Sequence, residues 1–459
     1  MMRTKTWIAL VACAFALPLA FGCDDGEDPT DGGVTEDTGT GGDDAAASNT
    51  IADIAAGNPD FSMLVAAADR AGLVPVLAAD GLFTVFAPTN AAFEASGITT
   101  EMIDSMPIGD LEQILRYHVL LGVEVDSGSI EAGPVDSAAD LTLILGTEGG
   151  VTINGGNAIT GGADVVTADV EADNGVIHII DRVLLPPDIP TLATYAGLTS
   201  LVGAVSDAGL VETLQGEGPF TVFAPTDEAF AALSAVPTGD ALVQVLLYHV
   251  ISGLAVESSA VPGFADTAAT NAYDNNLTLI FDTSDGVTIN GSVSVVIADA
   301  KATNGVVHIV SAVITPLNVV DAAVAAGLTG LVDAVGAAAD LGDGTSVAEA
   351  LSAEAPYTVF APTTEAFGRA PSGLSAEQLR DVLLLHVVDA GAPVLAADIP
   401  ASAPSLAGGT LTFDASASPP TVTGPGGTTG AGPADIVITD INVTNGVVHV
   451  IGEVLLPAG

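Results

Sequence analysis

Phe220-Thr-Val-Phe-Ala-Pro-Thr-Asp-Glu-Ala-Phe230 has two near-copies in the chain, FTVFAPTNAAF from Phe83 to Phe93 and YTVFAPTTEAF from Tyr357 to Phe367. The three copies start 137 positions apart. A spacing that long, filled with strand and helix patterns, indicates three whole domains in tandem rather than the short units of a solenoid. In the central copy Phe220, Val222 and Ala224 alternate with Thr221 and Phe223, which predicts a short strand with large residues on both faces. Pro225 ends it by removing a ladder donor. Thr226 then stands where it can cap a helix, with Asp227 and Glu228 in the first turn, where carboxylates suit the positive end of the helix dipole. Thr89 and Thr363 keep the cap in the other copies.

Two further signatures recur in step. Tyr117-His-Val119, Tyr248-His-Val250 and Leu385-His-Val387 each close a helical pattern, and Asn174-Gly-Val-Ile-His178, Asn304-Gly-Val-Val-His308 and Asn445-Gly-Val-Val-His449 each open a strand. These motifs use all six histidines of the chain, two per repeat. Ahead of each first histidine runs an i, i+3, i+4, i+7 stripe: Leu111, Ile114, Leu115 and His118, then Leu242, Val245, Leu246 and His249, then Leu379, Val382, Leu383 and His386. Each of these histidines therefore shares a helix face with core residues.

In that order, the FTVFAPT segment, the Tyr-His pair and the NGVxH strand resemble the hallmarks of the fasciclin domain, and three such units cover nearly all of the chain after residue 50. The resemblance implies an α/β (α+β) fold in each unit, a twisted β-wedge with helices packed along it. It also implies a family of secreted or membrane-anchored proteins linked mostly to adhesion and extracellular-matrix contact. Residues around the Tyr-His pair have been associated with adhesive binding in that family. This carries over to Tyr117, His118, Tyr248 and His249 as candidate ligand-binding residues, and only in part to His386, because Leu385 replaces the tyrosine. Read from the residues alone, the alternative is a tyrosine ring packed against the wedge and a histidine anchoring the helix end.

At the N-terminus, Arg3 and Lys5 precede an apolar run from Trp7 to Phe21, the charge-then-hydrophobe order of a secretory signal. The run is short for a bilayer span. It ends in Leu19-Ala-Phe-Gly-Cys23, which resembles a bacterial lipobox with its leucine displaced by one position. Cys13 lies inside the signal, so Cys23 is the lone thiol of the exported chain, and lipidation is one explanation for it. Signal cleavage after Ala20-Phe-Gly22, leaving a free N-terminal cysteine, is the other. Residues 24–50 hold nine carboxylates, no basic residue and almost no large apolar side chain, and read as an acidic tether that cannot bury enough surface to fold. The expected organisation is a signal peptide over 1–22, the tether over 23–50, and domains over 51–187, 190–317 and 318–457. Proline-bearing linkers, Leu185-Pro-Pro-Asp-Ile-Pro190 and Ile314-Thr-Pro-Leu317, should limit flexing between them. The expected partners are a membrane, through a lipid on Cys23, and an extracellular protein or polysaccharide.

With 57 acidic residues against 8 basic and a formal net charge of −49, nucleic acid and anionic lipid surfaces are poor partners. No GxSxG elbow, HExxH, CxxC, Walker loop or GxGxxG fingerprint is present, so no catalytic residue or cofactor is expected. The sharpest chemical alternative is a metal held by the two histidines of a repeat with Asp169, Asp299 or Asp440. A histidine on an apolar stripe or inside Val-His-Ile is more often a hydrogen-bonded core residue, and no metal site is expected. The remaining strand material is Leu141-Thr-Leu-Ile144, Val151-Thr-Ile-Asn-Gly155 and Ile177 to Leu184 in the first repeat, with Leu277-Thr-Leu-Ile280 and Val287-Thr-Ile-Asn-Gly291 in the second. The third repeat keeps Leu411-Thr-Phe413 but replaces VTING by Thr421-Val-Thr-Gly-Pro-Gly-Gly427, and residues 416–433 are expected to be its least ordered loop.

Overall fold

The repeated stretch forms a strand in every domain, Phe83–Pro88, Phe220–Pro225 and Tyr357–Pro362. The helix that follows is capped as expected: the Oγ1 atoms of Thr89, Thr226 and Thr363 accept from the main-chain N–H three residues on, at 3.2, 3.2 and 3.1 Å. The structure, a computed structural model, describes residues 49–156, 161–371, 373–430 and 432–458. The expected signal, Cys23 and the tether up to residue 48 lie outside the described residues.

Among the described residues there are three seven-stranded sheets, one per repeat. In the second repeat the spatial order is Phe264–Thr270, Asn276–Asp282, Thr288–Ile289, Val293–Ala302, Gly305–Val310, Phe220–Pro225 and Val250–Ser252. Neighbours are antiparallel except for Gly305–Val310 and Phe220–Pro225, which run parallel with Phe220 opposite Gly305 and Pro225 opposite Val310. The first strand of each domain is thus zipped to its last. A Cβ at Gly175, where φ is +147°, would collide with the main chain of Phe83, so this close pairing requires glycine in the NGVxH motif.

Alternation along the strands divides each core in two. In the second domain Val222, Ala224, Val307 and Ile309 pack under the helices, with Leu201, Val205, Leu242 and Leu246. Phe223 and Val310 point the other way and join Tyr248, Leu279, Ile289 and Ile314 inside the wedge. Burial on both faces is why the central strands read as nearly continuous hydrophobic runs.

The junctions between domains repeat as well. Thr142 Oγ1 accepts from Lys301 N at 2.8 Å and donates to Asp136, and Thr278 Oγ1 accepts from Asn442 N at 3.0 Å and donates to Asp266. Beside these bonds Ile144 packs on the helix-side core of the second domain and Ile280 joins that of the third. Lys301 Nζ adds an ion pair to Asp140 at 2.7 Å. Strand pairing places Thr410 and Thr412 of the third domain at the positions of Thr142 and Ile144, and both are exposed there.

Four local expectations need correction. The helical spacing of Phe61, Leu64 and Val65 predicts a helical region from Ile51 to about Ala79, but it is broken into Ile51–Gly57, Pro59–Phe61, Ser62–Arg70 and Val74–Leu77, interrupted by Asn58-Pro59 and by Gly72 at φ +71°. The last strand of the first domain is Gly175–Ile180 and does not run on to Leu184, because Val183 N donates to Ser96 Oγ and Leu184 N to His118 Nε2 instead of to a ladder. Leu411-Thr-Phe413 looks like the counterpart of Leu141-Thr-Leu143, but Leu411 pairs with Ala403 as Leu143 pairs with Val135, so the correspondence is shifted by two residues. The loop expected to be least ordered contains the strand Thr421–Thr423 and is pinned to the chain end, with Gly426 N bonded to Leu456 O and Thr429 Oγ1 to Glu453.

Candidate functional site

The helices Ile108–Tyr117, Asp240–Tyr248 and Ala376–Leu385 carry the Tyr-His or Leu-His pair at their C-terminal ends, each histidine serving as the C-cap. The candidate contacts Tyr117, His118, Tyr248 and His249 are only 0, 2, 1 and 2 % exposed. They lie in the interior, so none of the four side chains is available to a ligand at the surface of the folded domain.

Each ring is committed. His118 Nδ1 lies 2.7 Å from Ile114 O, four residues back on its own helix, and Nε2 accepts from Leu184 N at 2.9 Å. A carbonyl can only accept, so Nδ1 carries the proton and Nε2 is bare. His249 does the same with Val245 O and Ile314 N, and His386 with Val382 O and Leu455 N. These bonds tie the helix end to the segment leaving the last strand. Burial holds all three imidazoles at a pKa of about 4, against a smaller opposing effect of the bonded carbonyl.

The second histidine of each repeat uses the opposite tautomer. Nε2 of His178, His308 and His449 donates to Val125, Val256 and Val394 O, and Nδ1 accepts from the N–H of Asp169, Asp299 and Asp440. The rings stack on Phe86, Phe223 and Phe360 at 5.7, 5.4 and 5.4 Å between centroids. The three aspartates sit at φ of +59 to +61° in a bulge of the long strand. Asp169 accepts from the hydroxyl and the N–H of Ser127, in that order the main reasons that its carboxyl lies below the usual range. The aspartates considered as metal ligands therefore bond one histidine of their repeat through the backbone N–H, and their carboxylates, 3.8 to 3.9 Å from the same Nδ1, brace a neighbouring loop. Among the described residues no three His, Cys, Asp or Glu side chains gather as a metal-holding group.

Two sets of asparagines complete these clusters. Tyr117 OH donates to Thr142 O at 2.9 Å and accepts from Asn154 Nδ2 at 3.0 Å, and Asn154 Oδ1 in turn accepts from Ile144 N. Tyr248, Thr278, Asn290 and Ile280 repeat this arrangement. Asn174, Asn304 and Asn445, which open the NGVxH strands, each accept from the first N–H of the domain's leading helix (Ile51, Ile189, Val319) and donate to two carbonyls of the turn before the FTVFAP strand. Recurrence in the sequence marked these asparagines. Their role was hidden because the groups they join lie up to 126 residues apart.

The sequence profile of the fasciclin domain matches residues 59–186, 196–316 and 334–457. The chain belongs to the fasciclin domain family. Among its relatives, Protein sll1483 of Synechocystis sp. is 43 % identical over 140 residues, 30 % of this chain and 74 % of that one. The transforming growth factor-beta-induced protein ig-h3 of Sus scrofa is 29 % identical over 423 residues, 89 % of this chain. This chain spans 58 % of the length of ig-h3. A solved FAS1 domain pair from the insect cell adhesion molecule Fasciclin I is 18 % identical, covering 55 % of this chain and 92 % of that one, with a TM-score of 0.34.

The third fasciclin domain shows what the tyrosine hydroxyl does. Leu385 replaces the tyrosine, and by strand register Thr423 stands where Asn154 and Asn290 stand, continuing the ladder opposite Thr412. The hydroxyl and the amide that satisfies it are absent together, as expected of a buried polar pair in which neither member is tolerated alone. Burial raises the Tyr117 hydroxyl pKa strongly and that of Tyr248 to about 12, both partly offset by the asparagine. Tyr248→Phe, which strands Thr278 O and Asn290 Nδ2, is expected to cost about 1 to 2 kcal/mol. Adding Asn290→Thr should cost less than the two single changes summed, with a coupling of about 1 kcal/mol in a urea-denaturation double-mutant cycle.

Proposed function

We propose that this protein is exported, anchored to the cell envelope through a lipid on Cys23, and acts in adhesion by binding an extracellular protein or polysaccharide through three fasciclin domains, without enzymatic activity. The observation that carries the reading is the match of three fasciclin domains in one chain, joined to the signal-like N-terminus and acidic tether. Three domains also multiply weak contacts, since linked sites raise avidity without any new contact. The buried Tyr-His pairs position backbone in this scheme, and the ligand meets the outer surface. The repeated Thr142–Lys301 and Thr278–Asn442 junctions favour a second reading, an envelope spacer without a dedicated ligand, because they hold successive domains in a set relation.

Two or more acyl chains hold a protein firmly, at about 0.8 kcal/mol per buried CH₂. Cys23→Ser is expected to move the protein from the membrane fraction to the soluble one, with loss of the added acyl mass. A wild-type chain that is soluble and unacylated would contradict the anchor. Labelling of intact cells with a membrane-impermeant reagent, combined with deletion, separates the two functions. Labelling with lost attachment supports adhesion, and unchanged attachment supports the spacer.

A further inference from the structure

Each domain has a partly open apolar cavity between its leading helices and the sheet, of about 310 Å³ in the first, 370 Å³ in the second and 250 Å³ in the third. The one in the first domain is walled by Phe61, Leu64, Leu73, Val85, Leu115 and Ile177, among others. Its walls come from two clusters of the helix-side core, one around Phe93, Ile103 and Leu111 and one around Ile51, Phe61 and Val85, with Leu64 packed against both. The second domain keeps its helix-side core in one cluster. The volumes in the first and second domains are those of a small-ligand pocket.

What distinguishes the first cavity is its rim. Arg116 and Glu112 line it, with side chains 47 and 42 % exposed. Arg116 Nε donates to Ala138 O at 3.0 Å and Nη1 to Glu112 Oε1 at 3.2 Å, and Nη2 has no hydrogen bond among the described residues. An exposed ion pair of this kind is weak, and a ligand carboxylate can displace Glu112 from it. The positions matching Arg116, immediately before the Tyr-His and Leu-His pairs, hold Leu247 and Leu384. A cation at the mouth of an apolar cavity is selective in a chain of net charge −49, whose field repels anions elsewhere.

We propose that the first domain binds a single-chain monocarboxylate of the fatty-acid class, its tail in the cavity and its carboxylate on Arg116. The test titrates dodecanoate carrying a ¹³C carboxyl, and separately dodecanol, into the full chain bearing Cys23→Ser, so that no attached acyl group competes. One dodecanoate per chain is expected. Arg116→Leu, which copies the other two domains, should weaken dodecanoate by about tenfold or more and leave dodecanol unchanged, while Arg116→Lys should retain most of the affinity. Absence of saturable dodecanoate binding to the parent chain would overturn the proposal. So would an Arg116→Leu chain that binds it within about twofold of the parent, showing the cavity to be indifferent to charge.

Discussion

Asn174→Ala is expected to destabilise the first domain by about 3 to 5 kcal/mol, a large share of what holds a domain of this size together. Asn174 is 4 % exposed and makes three bonds, from Ile51 N at 2.9 Å and to Leu77 O and Ala79 O at 2.9 and 2.8 Å. Alanine strands all three partners and leaves a gap where the leading helix, the turn before the first strand and the last strand meet. Asn174→Asp separates bonding from shape, because it keeps the acceptor for Ile51 N but presents a carboxylate to two carbonyl oxygens. It is expected to be at least as harmful as alanine. Amide hydrogen exchange reads the effect domain by domain. Protection should fall throughout the first domain, with the third, whose Asn445 is untouched, unchanged.

Acid should weaken the protein well above the carboxylate range. His118, His249 and His386 are held neutral with pKa values of about 4, whereas an unfolded histidine titrates near 6.5. Above pH 6.5 both states are neutral and these groups add no pH dependence. Between 6.5 and about 4 the unfolded chain takes up protons that the folded chain refuses, so stability falls as pH falls and levels off below the folded value. Each histidine accounts for a loss of roughly 3 kcal/mol by pH 4. His308 and His449, also lowered by burial, act in the same direction. The depressed carboxylates, such as Asp227 bonded to the hydroxyl of Thr199, lose their contribution only at lower pH, as their own folded pKa values are crossed. Urea denaturation at pH 7.5, 6.5, 5.5 and 4.5 should show a decline of several kcal/mol, with proton uptake on unfolding. A flat profile down to pH 5 would contradict the neutral, doubly bonded imidazoles.

Much of this was legible because the chain repeats itself. The strand-to-helix step at Pro225-Thr226 is local chemistry, and both the strand and its threonine cap stand in all three domains. The placement of His118 on a core stripe was equally readable, since a 3.6-residue period reports which face is buried. Other features escaped for identifiable reasons. The two-residue slip at Leu411 is invisible to alternation, because a shift of two keeps every side chain on its face. Glycine and proline in 424–427 suggested disorder, but glycine also permits the close backbone approach to residues 456–457 that pins the loop. The choice for Tyr117 between ligand contact and interior packing stays open in the sequence because nothing local shows that Thr142 O and Asn154 Nδ2, 25 and 37 residues away, take up its hydroxyl. The domain junctions were missed for the same reason, since Thr142 and Lys301 are 159 residues apart.

The paired histidines are interior struts between backbone segments and leave no ring nitrogen for a ligand. Long-range ¹H–¹⁵N correlation of the imidazoles, followed from pH 7.5 to 5, tests this directly. The expected result is the Nδ1–H tautomer for His118, His249 and His386, with no titration of these three above about pH 5, and the Nε2–H tautomer for His178, His308 and His449 at pH 7.5. Titration of His118 or His249 near 6.5, or the Nε2–H form at either, would place the pair at the surface and return it to the candidate adhesive contacts.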